Sequence, residues 1–177
     1  VIIDPDEVTL QKYKDSAKRA RSHAKRLSAL RPMDAETKDG VRIKLLGNIE
    51  FPEEAEHCKD LGADGIGLYR TEFLYLGTSR EQSEEDHFNA YRTVVDAFPD
   101  KPVVIRTLDL GADKVPSTMP EYYPEGLNPE LGLRSIRLSL TNLPQFKTQL
   151  RAILRVATLG DVRLMFPLIT TLLELRQ

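Results

Sequence analysis

Two stretches of this sequence bring an arginine, a threonine and an acid together: Arg70-Thr71-Glu72 and Arg106-Thr107-Leu108-Asp109. A guanidinium is a flat fork of donors that matches phosphate or carboxylate in a bidentate way, and a nearby acid can hold the fork in position. Each arginine closes an apolar run, I-G-L-Y before Arg70 and P-V-V-I before Arg106. Each is therefore expected at the carboxyl end of a strand, where parallel β/α architectures gather their functional side chains. Two forks on one rim point to an anionic ligand. G-A-D-K follows the second and brings Lys114 as a point charge on a loop. N-P-E-L-G-L-R-S-I-R sets Arg134 and Arg137 one helical turn apart, so that one can face the rim and the other solvent. The structural alternative for any one arginine is simple pairing with Glu72 or Asp109. Both acids read as ion-pair partners rather than general acids or bases, and Asn128-Pro129 reads as a turn. His57 and His87 lie on acid-rich helices and read as solvated or ion-paired, with no Ser or Cys at a spacing that suggests nucleophilic catalysis. From spacing alone, the residues reach an anion-binding rim.

Such a rim needs strands and helices to carry it, and from about residue 41 the sequence alternates between them. V-R-I-K-L-L reads as the first strand. F-P-E-E-A-E-H-C-K-D-L-G reads as a helix with Phe51, Ala55, Cys58 and Leu61 on one face and Gly62 at its C-terminal cap. The second strand is I-G-L-Y, followed by a helix that carries Phe88, Tyr91, Val95 and Phe98 and stops before Pro99. P-V-V-I-R-T is the third strand. A long Gly- and Pro-rich segment comes next, then helical stretches through Leu133 to Ile136 and Phe146 to Ala157, then the strand V-R-L-M-F. Near-continuous apolar strands between amphipathic helices define an α/β class with a parallel, helix-covered sheet. A doubly wound sheet and a TIM (β/α)8 barrel both fit. The dinucleotide fingerprint is missing, because G-A-D-G-I-G has the wrong spacing and lies before and within its strand, which favours the barrel. About four strand-helix units would then be half of one.

The first 32 residues read differently. After Pro5, Leu10, Tyr13, Ala17, Ala20, Ala24 and Leu27 recur at steps of three and four, a single helical stripe close to a coiled-coil seam. Lys12, Lys14, Lys18, Arg19, Arg21, Lys25 and Arg26 surround it. Without interleaved aromatics these offer bases no stacking platform, so the segment reads as a linker helix ending near Arg31-Pro32 rather than a nucleic-acid arm. His23 belongs to its polar face. The net charge of -2 gives no global pull toward nucleic acid or an acidic membrane. A single cysteine, Cys58, cannot close an internal disulfide and agrees with a cytoplasmic setting. No run approaches the roughly 18 to 20 apolar residues of a membrane span. Val1-Ile2-Ile3 reads as a strand, and T-T-L-L-E-L-R-Q as the start of a helix, so the chain is expected to be a piece of a longer protein.

Taken together, G-A-D-G-I-G-L-Y-R-T-E-F-L-Y, I-R-T-L-D-L-G-A-D-K, N-P-E-L-G-L-R-S-I-R, and L-R-A-I-L-R-V-A with M-F-P-L-I resemble enzyme I of the bacterial sugar phosphotransferase system in order and spacing. The resemblance covers nearly the whole chain from the linker helix onward. Pyruvate phosphate dikinase and phosphoenolpyruvate synthase share the R-T-E and barrel elements. Tyr69, Phe73 and S-E-E-D-H-F-N-A-Y look closer to enzyme I.

The resemblance implies that Arg70 and Arg106 hold the phosphate of phosphoenolpyruvate, with Arg134 and Lys114 as further basic residues near that pocket. It implies Mg2+ bridging phosphate and carboxylate, a histidine acceptor on a swivelling domain, a small HPr-like phosphocarrier protein as the next acceptor, and a homodimeric parent enzyme. It divides the chain into residues 1–32, the end of the phosphohistidine domain plus linker helix, and residues 33–177, the N-terminal half of the phosphoenolpyruvate-binding barrel. The nucleophilic histidine would lie upstream of Val1. The Mg2+ carboxylates and the cysteine that protonates the enolate would lie downstream of Gln177, and Cys58 does not match that cysteine. Ala112 stands where the family commonly has glycine, in G-G-D-K. The polypeptide by itself is accordingly expected to lack turnover. A non-catalytic module that senses a phosphorylated ligand is the alternative from another class.

Overall fold

Four short strands, none longer than five residues, pair side by side in parallel: β1 (Gly47–Ile49), β2 (Ile66–Arg70), β3 (Val103–Arg106) and β4 (Val162–Met165). Their order in the sheet is their order in the chain, with no reversal. The structure is a computed structural model and describes residues 2–75, 81–110 and 132–177. Ala112, Lys114, Asn128 and Pro129 therefore lie outside the described residues. The chain forms two compact units, Val1–Ile43 and Lys44–Gln177.

The first unit carries α1 (Glu7–Ser28), on which no residue is buried. Asp6 caps it by accepting from the Thr9 amide at 2.6 Å, Glu7 sits in its first turn and Lys25 and Arg26 in its last, which matches the helix dipole at both ends. A helix is thus present where the stripe was read, with all the apolar positions of the stripe exposed. Ile2 and Ile3 are in no strand, contrary to the reading of the opening triplet. Apolar character alone does not make a strand when no neighbour completes its backbone hydrogen bonds.

In the second unit, α2 (Glu54–Asp60), α3 (Glu84–Ala97) and α5 (Leu143–Val156) pack on the sheet, with the six-residue α4 (Ile136–Thr141) before α5 and α6 (Leu172–Arg176) at the end. A capping box between Ser83 and Asp86 starts α3, and Pro144 stands in the first turn of α5. The core joins Ile66, Tyr69, Val103 and Ile105 of the sheet to Tyr91, Val94, Val95 and Phe98 on and just after α3, and to Ala152, Ile153 and Val156 on α5. Side chains alternate across a strand. With Val103 and Ile105 committed to the helical core, Val104 and Arg106 take the opposite face. Gly65 (φ +144) lets β2 start against its neighbour, since a Cβ there would stand 2.3 Å from the Pro102 carbonyl oxygen.

Three readings need correction. The first strand is Gly47–Ile49 rather than residues 41–46, and Val41, Ile43, Leu45 and Leu46 are exposed. The strand forms where the backbone meets β2, from Gly47 opposite Ile66, although the more apolar run lies just before it. On α2 only Ala55 of the expected face is buried, Cys58 is half-buried, and Phe51 and Leu61 are exposed. The helix expected from Leu133 begins at Ile136 instead, because Ser135 before it has φ 53, outside the helical region.

Candidate anion-binding site

Arg70 and Arg106 end β2 and β3 and are register partners, Cα opposite Cα. A parallel pair in register puts the same face of both strands at the same height, and here both side chains reach one carboxylate. Glu72 Oε1 accepts from Arg70 Nε at 3.2 Å and from Arg106 Nη2 at 2.7 Å. Arg106 Nη1 lies 2.8 Å from Asp109 Oδ2, and Arg134 Nε donates to Asp109 Oδ1 at 3.3 Å. Arg70 Nη1 donates to Glu50, just after β1, and the Arg70 guanidinium lies over the Phe73 ring, 5.0 Å from its centroid. Arg70, Arg106 and Arg134 thus gather at the carboxyl end of the sheet, separated by Glu50, Glu72 and Asp109.

The acids keep three like charges together at tolerable cost, because each guanidinium meets a carboxylate before it meets another cation. The pairing does not exhaust the donors. A guanidinium has five N–H groups, and Arg106 spends only Nη1 and Nη2 contacts on acids. Its Nε and Glu72 Oε2 are buried without a partner among the described residues. A partly open rim of guanidiniums suits an oxyanion, which accepts the N–H groups that the acids leave over. The side chains of Arg106 and Arg134 are 16% and 20% exposed, buried enough to strengthen such contacts and open enough to be reached. At Asp109 burial pushes the carboxyl up, but the Ser135 hydroxyl and the Arg106 and Arg134 guanidiniums outweigh it and hold the group below the usual carboxylate range. Asp109 therefore stays ionised and acts as a clamp for the arginines, not as a proton donor.

Residue by residue, the sequence reading of Glu72 and Asp109 as ion-pair partners matches the geometry. Arg134 faces the rim. Arg137 does not simply face solvent: its Nε pairs with Glu174 of α6 at 3.4 Å. His57 is exposed, as read. His87 corrects its reading, because it is fully buried on α3, with Nε2 3.0 Å from the Tyr75 hydroxyl and Nδ1 3.0 Å from the Tyr91 hydroxyl. Burial pushes its pKa down to about 4, against a smaller upward pull from Asp86, so the ring is neutral at pH 7. Glu50 and Ser135 were missed. Placing the first strand at residues 41–46 put Glu50 four residues beyond its end, whereas the true strand ends one residue before it. Ser135, at φ 53, donates its hydroxyl to Asp109.

Fold and site together define an α/β protein with paired arginines at the carboxyl ends of adjacent parallel strands. Residues 24–177 match the family of PEP-utilising enzymes at the PEP-binding domain, and the chain belongs to that family. The phosphoenolpyruvate-protein phosphotransferase of Staphylococcus aureus is 44% identical over 177 residues, covering 100% of this chain and 31% of the relative. The protein of that name from Staphylococcus epidermidis is also 44% identical, over 99% of this chain and 30% of its own length. That from Geobacillus stearothermophilus is 42% identical, over 100% and 30%. The chain thus spans about a third of the length of the curated relatives it matches. Among the described residues no helix is long and apolar enough to cross a membrane.

Proposed function

We propose that this chain supplies the substrate rim of a phosphoenolpyruvate-protein phosphotransferase, as half of a TIM barrel led by a linker helix. The observation that carries the reading is the register pair Arg70 and Arg106, whose guanidiniums close on the same Glu72 oxygen. An unreversed strand order supports the barrel, because a doubly wound sheet must change direction at a switch point. In this reading Arg70 and Arg106 hold the phosphate, Arg134 adds charge beside it, and Lys114 is a further basic residue for the ligand. Residues 1–32 close the phosphohistidine domain and link it to the barrel, and the enzyme works in the cytoplasm.

The chemistry suits such a rim. The bond between phosphorus and the enol oxygen breaks, a bond from phosphorus to a histidine nitrogen forms, and the enolate takes up a proton to become pyruvate. The phosphoryl group then passes to a phosphocarrier protein. Charge spreads over the equatorial oxygens in a loose transition state, and fixed guanidiniums stabilise it without having to reorganise. Mg2+, when bound, would supply positive charge to the anionic substrate. Among the described residues no three His, Cys, Asp or Glu side chains are placed to hold an ion, so these residues alone do not fit it. In this reading its ligands come from another part of the enzyme.

The test is a chimera in which this chain replaces the matching segment of the Staphylococcus aureus relative. It should phosphorylate the carrier from phosphoenolpyruvate, and Arg70→Ala or Arg106→Ala should abolish that. The 177-residue chain alone, given phosphoenolpyruvate, Mg2+ and carrier, should release no pyruvate above background. Full activity of an Arg106→Ala chimera sinks the reading. Binding of phosphoenolpyruvate by the chain together with an inactive, folded chimera would favour a sensing module instead.

A further inference from the structure

Directly beneath the charged rim lies a set of neutral polar side chains that meet at Gln149. This residue is on α5 and only 1% exposed. Its Nε2 donates to the Thr71 hydroxyl at 3.0 Å and to the Tyr91 hydroxyl at 3.1 Å, and its Oε1 accepts from the Leu108 amide at 3.1 Å. The Thr71 hydroxyl in turn donates to the Arg106 carbonyl at 2.8 Å. Donor counting sets the direction of the bonds at Gln149. A backbone amide only donates, so the Gln149 oxygen must face Leu108, and both amide hydrogens are then spent on hydroxyls. Tyr91 accepts from Gln149 and also bonds His87 Nδ1, and His87 Nε2 bonds the Tyr75 hydroxyl, with one nitrogen of the neutral ring donating and the other accepting.

Thr71 follows Arg70 at the end of β2, and Leu108 lies two residues past Arg106 at the end of β3. Gln149 therefore ties together the two strand ends that carry the arginines, from the face opposite their guanidiniums. We propose that Gln149 is the positioning residue of the rim: its amide, working through Thr71 and the Leu108 amide, fixes the spacing at which Arg70 and Arg106 grip one anion. A neutral amide does this without adding charge beneath the guanidiniums, which a carboxylate in its place would do. The proposal rests on the reading of the rim as a phosphoenolpyruvate site. Losing one hydrogen bond to a charged group costs on the order of 10- to 100-fold in affinity.

The experiment measures phosphoenolpyruvate affinity by calorimetry on the chimera described above, in its wild-type form and as Arg70→Ala, Gln149→Met, Thr71→Val and Thr71→Ser. Gln149→Met keeps the length of the side chain and removes its donors and acceptor. It should weaken binding about 10- to 100-fold while circular dichroism stays that of a folded protein. Thr71→Val should do the same, and Thr71→Ser should restore binding. Loss of binding in Arg70→Ala with wild-type affinity in folded Gln149→Met overturns the positioning role alone. A folded wild-type chimera without affinity overturns the site reading instead. A second readout is independent of ligand: in the 177-residue chain, Gln149→Met should free the Leu108 amide to exchange and move the Arg106 Nε resonance. Unchanged Leu108 protection and an unmoved Arg106 signal overturn the proposal whatever the calorimetry shows.

Discussion

The rim and the layer beneath it handle buried polarity in opposite ways. In the rim, Arg70, Arg106 and Arg134 are all charged, share Glu50, Glu72 and Asp109, and still leave Arg106 Nε unsatisfied among the described residues. In the layer below, His87, Tyr75, Tyr91, Gln149 and Thr71 are all neutral, and each hydrogen bond feeds the next. Charge is tolerated only where one side stays open, since sealing an ion away from water costs several kcal/mol. A neutral network whose members are hydrogen-bonded to one another instead rigidifies what it touches. The charged groups thus sit where the sheet end is open, and the neutral network lies beneath them among buried side chains.

Breaking the rim should have the largest effect. Arg106→Ala leaves Glu72 and Asp109 without the cation they share, so stability should fall by about 3 to 5 kcal/mol in urea unfolding, with phosphoenolpyruvate binding lost. Arg106→Lys keeps the charge but not the fork, and should recover more of the stability than of the affinity. Wild-type affinity in Arg106→Lys would show that the fork geometry does not matter.

The neutral layer predicts a pH dependence. Above about pH 6.5, His87 is neutral in both folded and unfolded chains and its network is fully stabilising. As pH falls toward 4 the unfolded chain binds a proton that the buried ring refuses, so stability declines across that window. The full effect is about 3 kcal/mol, and Asp109 adds loss of the same sign only at lower pH. Unfolding of wild type and His87→Phe at pH 7 and pH 5 isolates the term. The variant should start less stable and change less, and equal slopes would mean that His87 is not the group titrating.

Smaller still, Tyr91→Phe removes one link between Gln149 and His87 and should cost about 1 to 3 kcal/mol. Ser83→Ala, outside both regions, loses only the cap of α3 and should cost about 1 kcal/mol. It should leave affinity unchanged, which makes it the control for both.

Much of this was legible in the sequence. The strands I-G-L-Y, V-V-I-R and V-R-L-M, the helix stripe of Tyr91, Val95 and Phe98, and the helix α1 all follow from local periodicity and end signals, which are written in consecutive residues. The placement of Arg70 and Arg106 at strand ends followed from the same runs, and their partnership with Glu72 and Asp109 from proximity in the chain. Tertiary structure alone decided the rest. Which residues of the segment 41–49 become a strand depended on where β2 offers hydrogen bonds, and with that went the discovery of Glu50. His87 stands beside Asp86 in an acid-rich helix and reads as a solvated or ion-paired ring, but helix rotation turned it toward Tyr75 and Tyr91, where burial keeps it neutral. Gln149 is 78 residues from Thr71 and 41 from Leu108. No local pattern marks such a residue, because its role exists only once three separate segments have packed and each has a polar group left to satisfy.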